Sequence, residues 1–285
     1  MIPKTIVFGC ALGSLLWLAC AARPATEIVP VQEAAKSAYP PVIEASPARQ
    51  QAAEEAWANF LSEARLSFAK PDLEPVLNTP RSLPPALAGN INLKTGDSKT
   101  GEALNEERAK ELLRRFIERQ HAVLGGDQRA STLGLKDLSL ISFSRDGELY
   151  RATYRQMNYP FPIANGYGEL RLALSRTGAL VQLSSRILPA VELPAKAAVE
   201  REAVAAKLLN REFTYSNLAG QPLTYRVARR EEISVKELVI YPKLEENKLT
   251  VHLAYPVEVG RGMTWTVYFD AVNGQEIEVK QNFQS

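Results

Sequence analysis

The order of the hydrophobic periodicities constrains this chain more than any other feature. A helical period over residues 105–124 is followed by segments that alternate apolar and polar residues, and the same order returns after Pro194. Asp146-Gly147 and Asn273-Gly274 are hairpin turn signals between two such segments. A helix followed by strands, twice, without strand-helix alternation, predicts an α+β fold of two units, each a helix packed on an antiparallel β-sheet.

The first unit is predicted from one helix and four strands. Asn105 can cap the helix, and Leu112, Phe116 and Ile117 form its apolar face. The predicted strands are Leu138 to Phe143, Leu149 to Gln156, Glu169 to Leu174 and Ala179 to Ile187. Two turns join them in pairs, so we expect an antiparallel sheet.

The second unit repeats this order. We expect a helix from Pro194 to about Asn210, with Val199, Ala203, Ala206 and Leu209 on one face. The strands predicted after it are Leu223 to Val227, Leu238 to Tyr241, Leu249 to Val259, Thr264 to Phe269 and Ile277 to Phe283.

The N-terminus has the features of an export signal. Lys4 precedes an apolar run from Ile6 to Leu18, which is shorter than the roughly 20 residues that a membrane-spanning helix needs. Leu18-Ala19-Cys20 resembles the lipobox of bacterial lipoproteins, although Trp17 departs from the usual aliphatic residue. We therefore expect a lipoprotein-type signal peptide over 1–19, lipidation of Cys20 and an anchor in the bacterial cell envelope. The alternative is ordinary cleavage near Ala21 or Ala22, which would discard Cys20 and secrete the protein.

Proline and the turn signals set the remaining boundaries. Residues 20–45 contain prolines without a sustained period and are predicted to be a flexible tether. Residues 46–103 are predicted to hold a short helix, capped by Ser46 with Trp57 and Phe60 on its apolar face, and then a proline-rich connection in which only Ala88 to Leu93 resembles a strand. The two units then occupy 104–190 and 191–285.

Charge and reactive residues exclude several classes of function. The 34 basic and 32 acidic residues give a net charge of +2, which does not favour a nucleic-acid partner. His121 and His252 lie on different units, and Cys10 and Cys20 both lie in the export segment, so we expect no metal site. No pattern of a nucleophile with its base, and no cofactor loop, is present. We expect His121 at a solvated helix end, His252 on a sheet surface, no cofactor and no enzyme activity.

Several segments in a fixed order resemble a known family. They are the helix that follows Leu104-Asn-Glu-Glu, the segment Tyr154-Arg-Gln leading to Gly168-Glu-Leu-Arg-Leu, and the closing run from Tyr268 to Glu276. Over about Leu83 to Phe283 the chain resembles the propeptides of thermolysin-like and fungalysin-like metalloproteases. The resemblance implies a fungalysin/thermolysin propeptide-like unit over 104–190 and a PepSY-like unit over 191–285. The segment Met157 to Tyr167 is longer than the corresponding loop of the family.

The resemblance also implies a function. In such precursors a catalytic domain with a His-Glu-x-x-His zinc motif follows the PepSY unit, whereas this sequence contains no such motif and ends at Ser285. We therefore expect the propeptide role alone, which is to inhibit a zinc metalloprotease or to assist its folding in trans. The alternative is an envelope structural or ligand-binding lipoprotein that reuses the propeptide fold.

Five aromatic residues are the predicted partner-binding residues. The tail from Lys280 to Ser285 would enter the protease cleft as an added strand, with Phe283 in an apolar pocket, and a sheet face around Trp265 and Tyr268 would supply further contact area. Tyr159 and Phe161 would add an aromatic loop surface. The alternative for Phe283, left open here, is that it completes the core of the last hairpin.

Overall fold

A computed structural model describes residues 39–94, 103–125, 135–217, 219–261 and 264–283. The chain divides into residues 1–37 and a compact unit of residues 38–285, to which all described residues belong. The predicted signal peptide, the lipidation site Cys20 and the tether up to residue 38 lie outside the described residues, as do Gln284 and Ser285.

The described residues confirm the α+β prediction, with few helices and antiparallel sheets. The helices are α1 (Pro47–Glu63), α2 (Glu106–Arg119), α3 (His121–Gly125) and α4 (Arg201–Ala206). The strands before α4 are β1 (Val42–Glu44), β2 (Asp72–Leu73), β3 (Pro80–Ser82), β4 (Ile91–Asn92), β5 (Leu138–Asp146), β6 (Leu149–Gln156), β7 (Glu169–Ser175) and β8 (Ala179–Ser185). Those after it are β9 (Glu212–Ser216), β10 (Pro222–Arg226), β11 (Ile233–Val235), β12 (Val239–Glu245), β13 (Lys248–Val259), β14 (Trp265–Asp270) and β15 (Glu276–Gln281).

The first sheet has the strand order β4-β8-β7-β6-β5, with antiparallel neighbours. The four strands from β5 to β8 are the four that the alternation predicts. The segment Ala88 to Leu93 supplies β4, which pairs with the start of β8 as a fifth strand. Tyr150, Ala152 and Tyr154 are buried along β6, so the alternation has placed one face of the sheet toward the core.

Two helices cover that face. The Asn105 side chain caps α2 by accepting a hydrogen bond from the Arg108 amide at 2.8 Å. Phe116 of α2 meets Phe60 of α1 edge to face, with ring centroids 5.9 Å apart. The helix predicted to run to Leu124 is interrupted at Gln120, which ends α2 before α3 begins.

The second sheet is built around β13. β12 and β11 pair with one edge of this long strand, while β1 and β14 pair with the other, and β15 extends the sheet beyond β14. The tether was expected to continue to residue 45, but Val42–Glu44 forms β1, with Ile43 buried. The predicted end of the tether was therefore wrong. A strand of three residues is too short to show a recognisable alternation in the sequence.

The helix predicted from Pro194 to about Asn210 is much shorter than expected. The amides of Ala198 and Val199 both donate to the carbonyl oxygen of Ala271, at 2.8 and 3.0 Å, so this part of the chain follows the sheet instead of turning into a helix. Only Arg201–Ala206 is helical, and it buries Val204 and Ala205. The predicted face of Ala203, Ala206 and Leu209 is exposed instead.

A seam joins the two sheets. Within the loop 157–168, Ile163 forms a parallel bridge with Ile240 of β12. The Ile240 amide donates to the Pro162 carbonyl oxygen, and the Ala164 amide donates to the Ile240 carbonyl oxygen, both at 2.9 Å. The residues of the seam core come from both units, from β1 and from the turn between β2 and β3: Ile43, Val76, Leu77, Ile163, Tyr167, Leu188, Ile240, Leu249 and Val251.

Gly168 lets the loop close tightly onto this seam. Its φ of +68° is in the left-handed region that favours glycine. A Cβ atom at this position would lie 2.5 Å from Cδ1 of Ile163, which is closer than two carbon atoms can approach. The glycine of the predicted motif Gly168-Glu-Leu-Arg-Leu therefore has a packing role.

Candidate functional site

Trp265 is buried in an aromatic cluster. The residue is 2% exposed, and its ring stacks on the rings of Phe213 and Tyr225 at centroid distances of 5.0 and 5.2 Å. The edges of Tyr215 and Phe283 complete its surroundings at 5.9 and 5.1 Å. Trp265 thus joins the β9–β10 hairpin to the second sheet, and its ring presents no open surface to a partner.

Phe283 packs into the same cluster. Besides Trp265, its ring meets Tyr215 edge to face at 5.5 Å. The residue is half-buried and lies directly beyond β15. Of the two possibilities that the sequence left open, this position corresponds to completion of the core. A role of Phe283 in a protease pocket would require the ring to leave the cluster.

Tyr268 lies on the opposite face of the sheet from Trp265. Its ring stacks on Tyr241 with centroids 3.9 Å apart, and the Tyr241 hydroxyl donates to Glu278 at 2.5 Å. Lys280 lies 5.5 Å above the Tyr268 ring. Burial raises the pKa of Tyr268, and the negative charge of Glu278 adds to that effect. The prediction of one shared face around Trp265 and Tyr268 was wrong, because three steps along a strand reverse the direction of the side chain.

Tyr159 and Phe161 pack within the seam between the sheets. The Tyr159 hydroxyl donates to the Pro189 carbonyl oxygen at 2.5 Å and accepts from the Val191 amide at 3.2 Å. Burial raises its pKa. Phe161 is partly buried against the seam core. The aromatic loop that the sequence indicated as a partner surface is therefore used inside the molecule.

A buried carboxylate organises the other face of the second sheet. Asp270 is 1% exposed, and its Oδ2 accepts hydrogen bonds from the Tyr39 hydroxyl at 2.9 Å and, across 2.7 Å, from the ring Nδ1 of His252. Its Oδ1 accepts from the amides of Val272 and Asn273 at 2.8 and 3.0 Å. The carboxylate thereby fixes the Asn273-Gly274 turn and connects residue 39 to β13 and β14.

His252 was expected on a sheet surface, and that expectation was wrong. Its side chain is 14% exposed, because β13 and β14 bring it against Asp270, which lies 18 residues away in sequence. Burial alone would raise the pKa of Asp270, but the bonds from His252, the two turn amides and Tyr39 outweigh that effect and lower it. An aspartate that orients a histidine also makes up two of the three members of a catalytic triad. Here the Asp270 carboxylate also accepts hydrogen bonds from two turn amides and from the Tyr39 hydroxyl, so the pair connects β13, β14 and residue 39.

His121 fits its prediction. It begins α3, is exposed, and its Nδ1 lies 3.2 Å from the Glu118 carbonyl oxygen. Among the described residues, no group of three or more His, Cys, Asp or Glu side chains could hold a metal ion. Nor does any helix within those residues have the length and apolar character needed to cross a membrane.

The edge of the first sheet is the surface that remains open. β5 pairs with β6 and with no other described strand, and its nine residues make it the longest strand at any sheet edge in the described part of the chain. Residues 138–144 carry no charged side chain. A bulge at Ile141 leaves that residue 43% exposed, beside Leu140 at 38%. The backbone N–H and C=O groups on the outer side of such a strand are available to another chain.

The other edges of the two larger sheets are protected. β15 carries Glu276, Glu278 and Lys280, and β12 contains Pro242 and Lys243 and is met by the seam loop at Ile240. β1, β4 and β11 have three residues or fewer. Charge, proline, covering loops and short length are the usual means of preventing strand addition. Among the described residues, none of these means protects β5 within residues 138–144, although this stretch contains a bulge.

A groove runs beside β5. It measures about 430 Å³ and lies between α2 and the edge of the sheet. Leu138, Leu140 and Tyr154 form its apolar side, and burial raises the pKa of Tyr154 to about 12. The α2 side is formed by charged residues: Glu107, Lys110, Glu111 and Arg114. A smaller cavity of about 110 Å³ lies between α1, β4 and the last turns of α2.

We expect Asp270→Asn to lower the free energy of unfolding by about 1–3 kcal/mol at pH 7, because the variant loses the ionised acceptor of several buried hydrogen bonds. The lowered pKa means that the carboxylate stabilises the fold above the unfolded-state pKa of about 3.9. This contribution is lost as the pH falls through the folded-state pKa, so the difference between wild type and variant shrinks in acid. Urea unfolding at several pH values measures this difference in the free energy of unfolding. Asp146→Asn, at an exposed carboxylate, is the control; a wild-type advantage that is constant down to pH 3 would contradict the assignment.

Comparisons with known proteins leave the family open. No family model matches the sequence, and no curated protein matches it. Among solved structures, the Bacillus megaterium YpeB C-terminal domain, a PepSY-containing protein, is similar to this chain with 12% sequence identity and a TM-score of 0.29. The match covers 75% of this chain and 76% of that one.

Proposed function

We propose that this protein is an exported, propeptide-like binding protein that inhibits a thermolysin-like zinc metalloprotease, or assists its folding, as a separate chain. The observation that supports binding is the unprotected edge strand β5 with its adjoining groove. The partner class comes from the propeptide-like segments between Leu83 and Phe283. Propeptides act by binding, and such an edge offers backbone hydrogen bonds together with an apolar groove.

The arrangement of the titratable groups favours binding over catalysis. The histidine-carboxylate pair, His252 and Asp270, is joined to Tyr39 and to a turn, and the Tyr241 hydroxyl is bound to Glu278. Neither pair lines either of the two cavities described above. We therefore propose a protein without enzyme activity or a cofactor of its own.

An inhibition assay with a defined protease tests the proposal. Purified protein is added to thermolysin with a fluorogenic peptide substrate, and in parallel to the acid-unfolded protease during refolding. We expect either a concentration-dependent loss of hydrolysis of at least tenfold or a several-fold higher yield of refolded protease. Protein kept in urea until it is diluted into the assay controls for nonspecific effects of added polypeptide. Unchanged hydrolysis, unchanged refolding yield and no complex by size-exclusion chromatography would together reject the metalloprotease partner.

Anchoring at Cys20 is a second part of the proposal. The lipobox-like Ala19-Cys20 places a lipid on the mature N-terminus, and the tether that follows would hold the folded unit at a membrane surface. We expect Cys20→Ser to move the protein from the membrane fraction to the soluble fraction without changing its unfolding midpoint. Cys10→Ser is the matched control. Metabolic labelling that leaves the wild type without a fatty acid would favour a secreted form instead.

A further inference from the structure

We propose that β5 receives an extended, uncharged segment of the partner protein as an added strand, with one apolar side chain of that segment seated in the groove between α2 and β5. This inference rests on the proposed function, because it gives the surface through which the partner is bound. It replaces the C-terminal tail as the binding element, since Phe283 is packed against Trp265.

The geometry of an added strand fits the groove. Neighbouring strands lie about 4.8 Å apart, and every second side chain of a strand points to the same face. A segment paired with β5 therefore places alternate side chains beside Leu138 and Leu140, on the face that α2 partly covers. An apolar side chain at one of these positions would lie beside Leu140, and Tyr154 of the neighbouring β6 also lines the groove.

The charges beside the groove determine the chemistry of the segment. Lys110 lies 2.9 Å from Glu107, and Arg114 lies 2.8 Å from Glu111. Each cation of the α2 wall thus has a carboxylate partner within the wall, and the four charges cancel. A charged side chain in the groove would lose hydration without gaining an unpaired opposite charge, so the complementary segment is uncharged there.

The bulge at Ile141 does not protect this edge. Bulges discourage strand addition by turning a strand away from its neighbour, but they also occur next to functional sites, where they redirect a side chain. Here the bulge leaves Ile141 exposed on the outer face while Leu140 stays on the groove side. β5 therefore offers an apolar side chain on each face of the sheet to the incoming strand.

The test compares charge insertion at this edge with the same change elsewhere. Leu140→Glu places a carboxylate in the groove at a residue that is already 38% exposed, and Leu223→Glu on β10, at 41%, is the matched control. Circular dichroism and urea melts are used to check that both variants fold. We expect Leu140→Glu to weaken thermolysin inhibition, or refolding assistance, at least tenfold, and Leu223→Glu to change it less than twofold. If Leu140→Glu acted on the protease as strongly as the wild type does, the inference would be overturned, whereas the proposed function would stand.

A second probe decides the inference if the protease is unaffected by the wild type. A blocked, uncharged peptide of alternating threonine and valine is titrated against the protein and followed by amide hydrogen exchange. Slower exchange at residues 138–144, abolished by Leu140→Glu, would support strand addition although the protease proposal had failed. No protection at millimolar peptide would overturn it. A wild-type dimer that Leu140→Glu converts to a monomer in sedimentation would also overturn it, because a second copy would then occupy the edge.

Discussion

The two hydrogen bonds between Ile240 and the loop 157–168 are the constraint on which the rest of the structure depends. They extend the edge of the second sheet into a loop that begins directly after the first sheet's β6. Ile163 and Tyr167 then share a core with Ile43, Leu249 and other residues of the second sheet. Because this core draws on both units, neither sheet can turn relative to the other without exposing it. The segment Met157 to Tyr167 is therefore the joint between the two sheets.

The seam also explains why Tyr159 and Phe161, predicted to bind a partner, are packed inside the molecule. Tyr159 and Phe161 occur in a proline-containing loop, and in the sequence such residues fit an exposed interface as well as they fit packing between sheets. Which of the two applies depends on whether a second sheet lies against the loop. The contact between Asp270 and His252 was equally unpredictable from the sequence, because it depends on the register of β13 with β14. The same is true of the bond from Tyr39, which lies 231 residues from Asp270. Turn chemistry predicted Asn273-Gly274, but not the carboxylate that fixes it.

Periodicity predicted the elements whose backbone partners are local. The strands β5 to β8 and α2 follow their sequence patterns closely, because hairpins and a capped helix find their hydrogen bonds nearby. The helix after Pro194 did not, since the amides of Ala198 and Val199 bond to Ala271 far along the chain. The lack of charge over residues 138–144 is visible in the sequence, whereas the strand β15 carries Glu276, Glu278 and Lys280. The position of that uncharged stretch at the edge of the sheet, however, follows from the pairing order alone.

Native-state hydrogen exchange at the seam tests most directly whether the two sheets form one cooperative body. The reporters are the amides of Ala164 and Ile240, which make the two seam bonds, and the amide of Leu172 within the first sheet serves as the reference for global unfolding. If the two sheets form one body, Ala164 and Ile240 exchange with the same free energy of opening as Leu172, and with the same dependence on urea. Exchange of both seam amides through a low-energy opening, while Leu172 stays protected, would contradict it and would mean that the sheets are independent units joined by a loose loop.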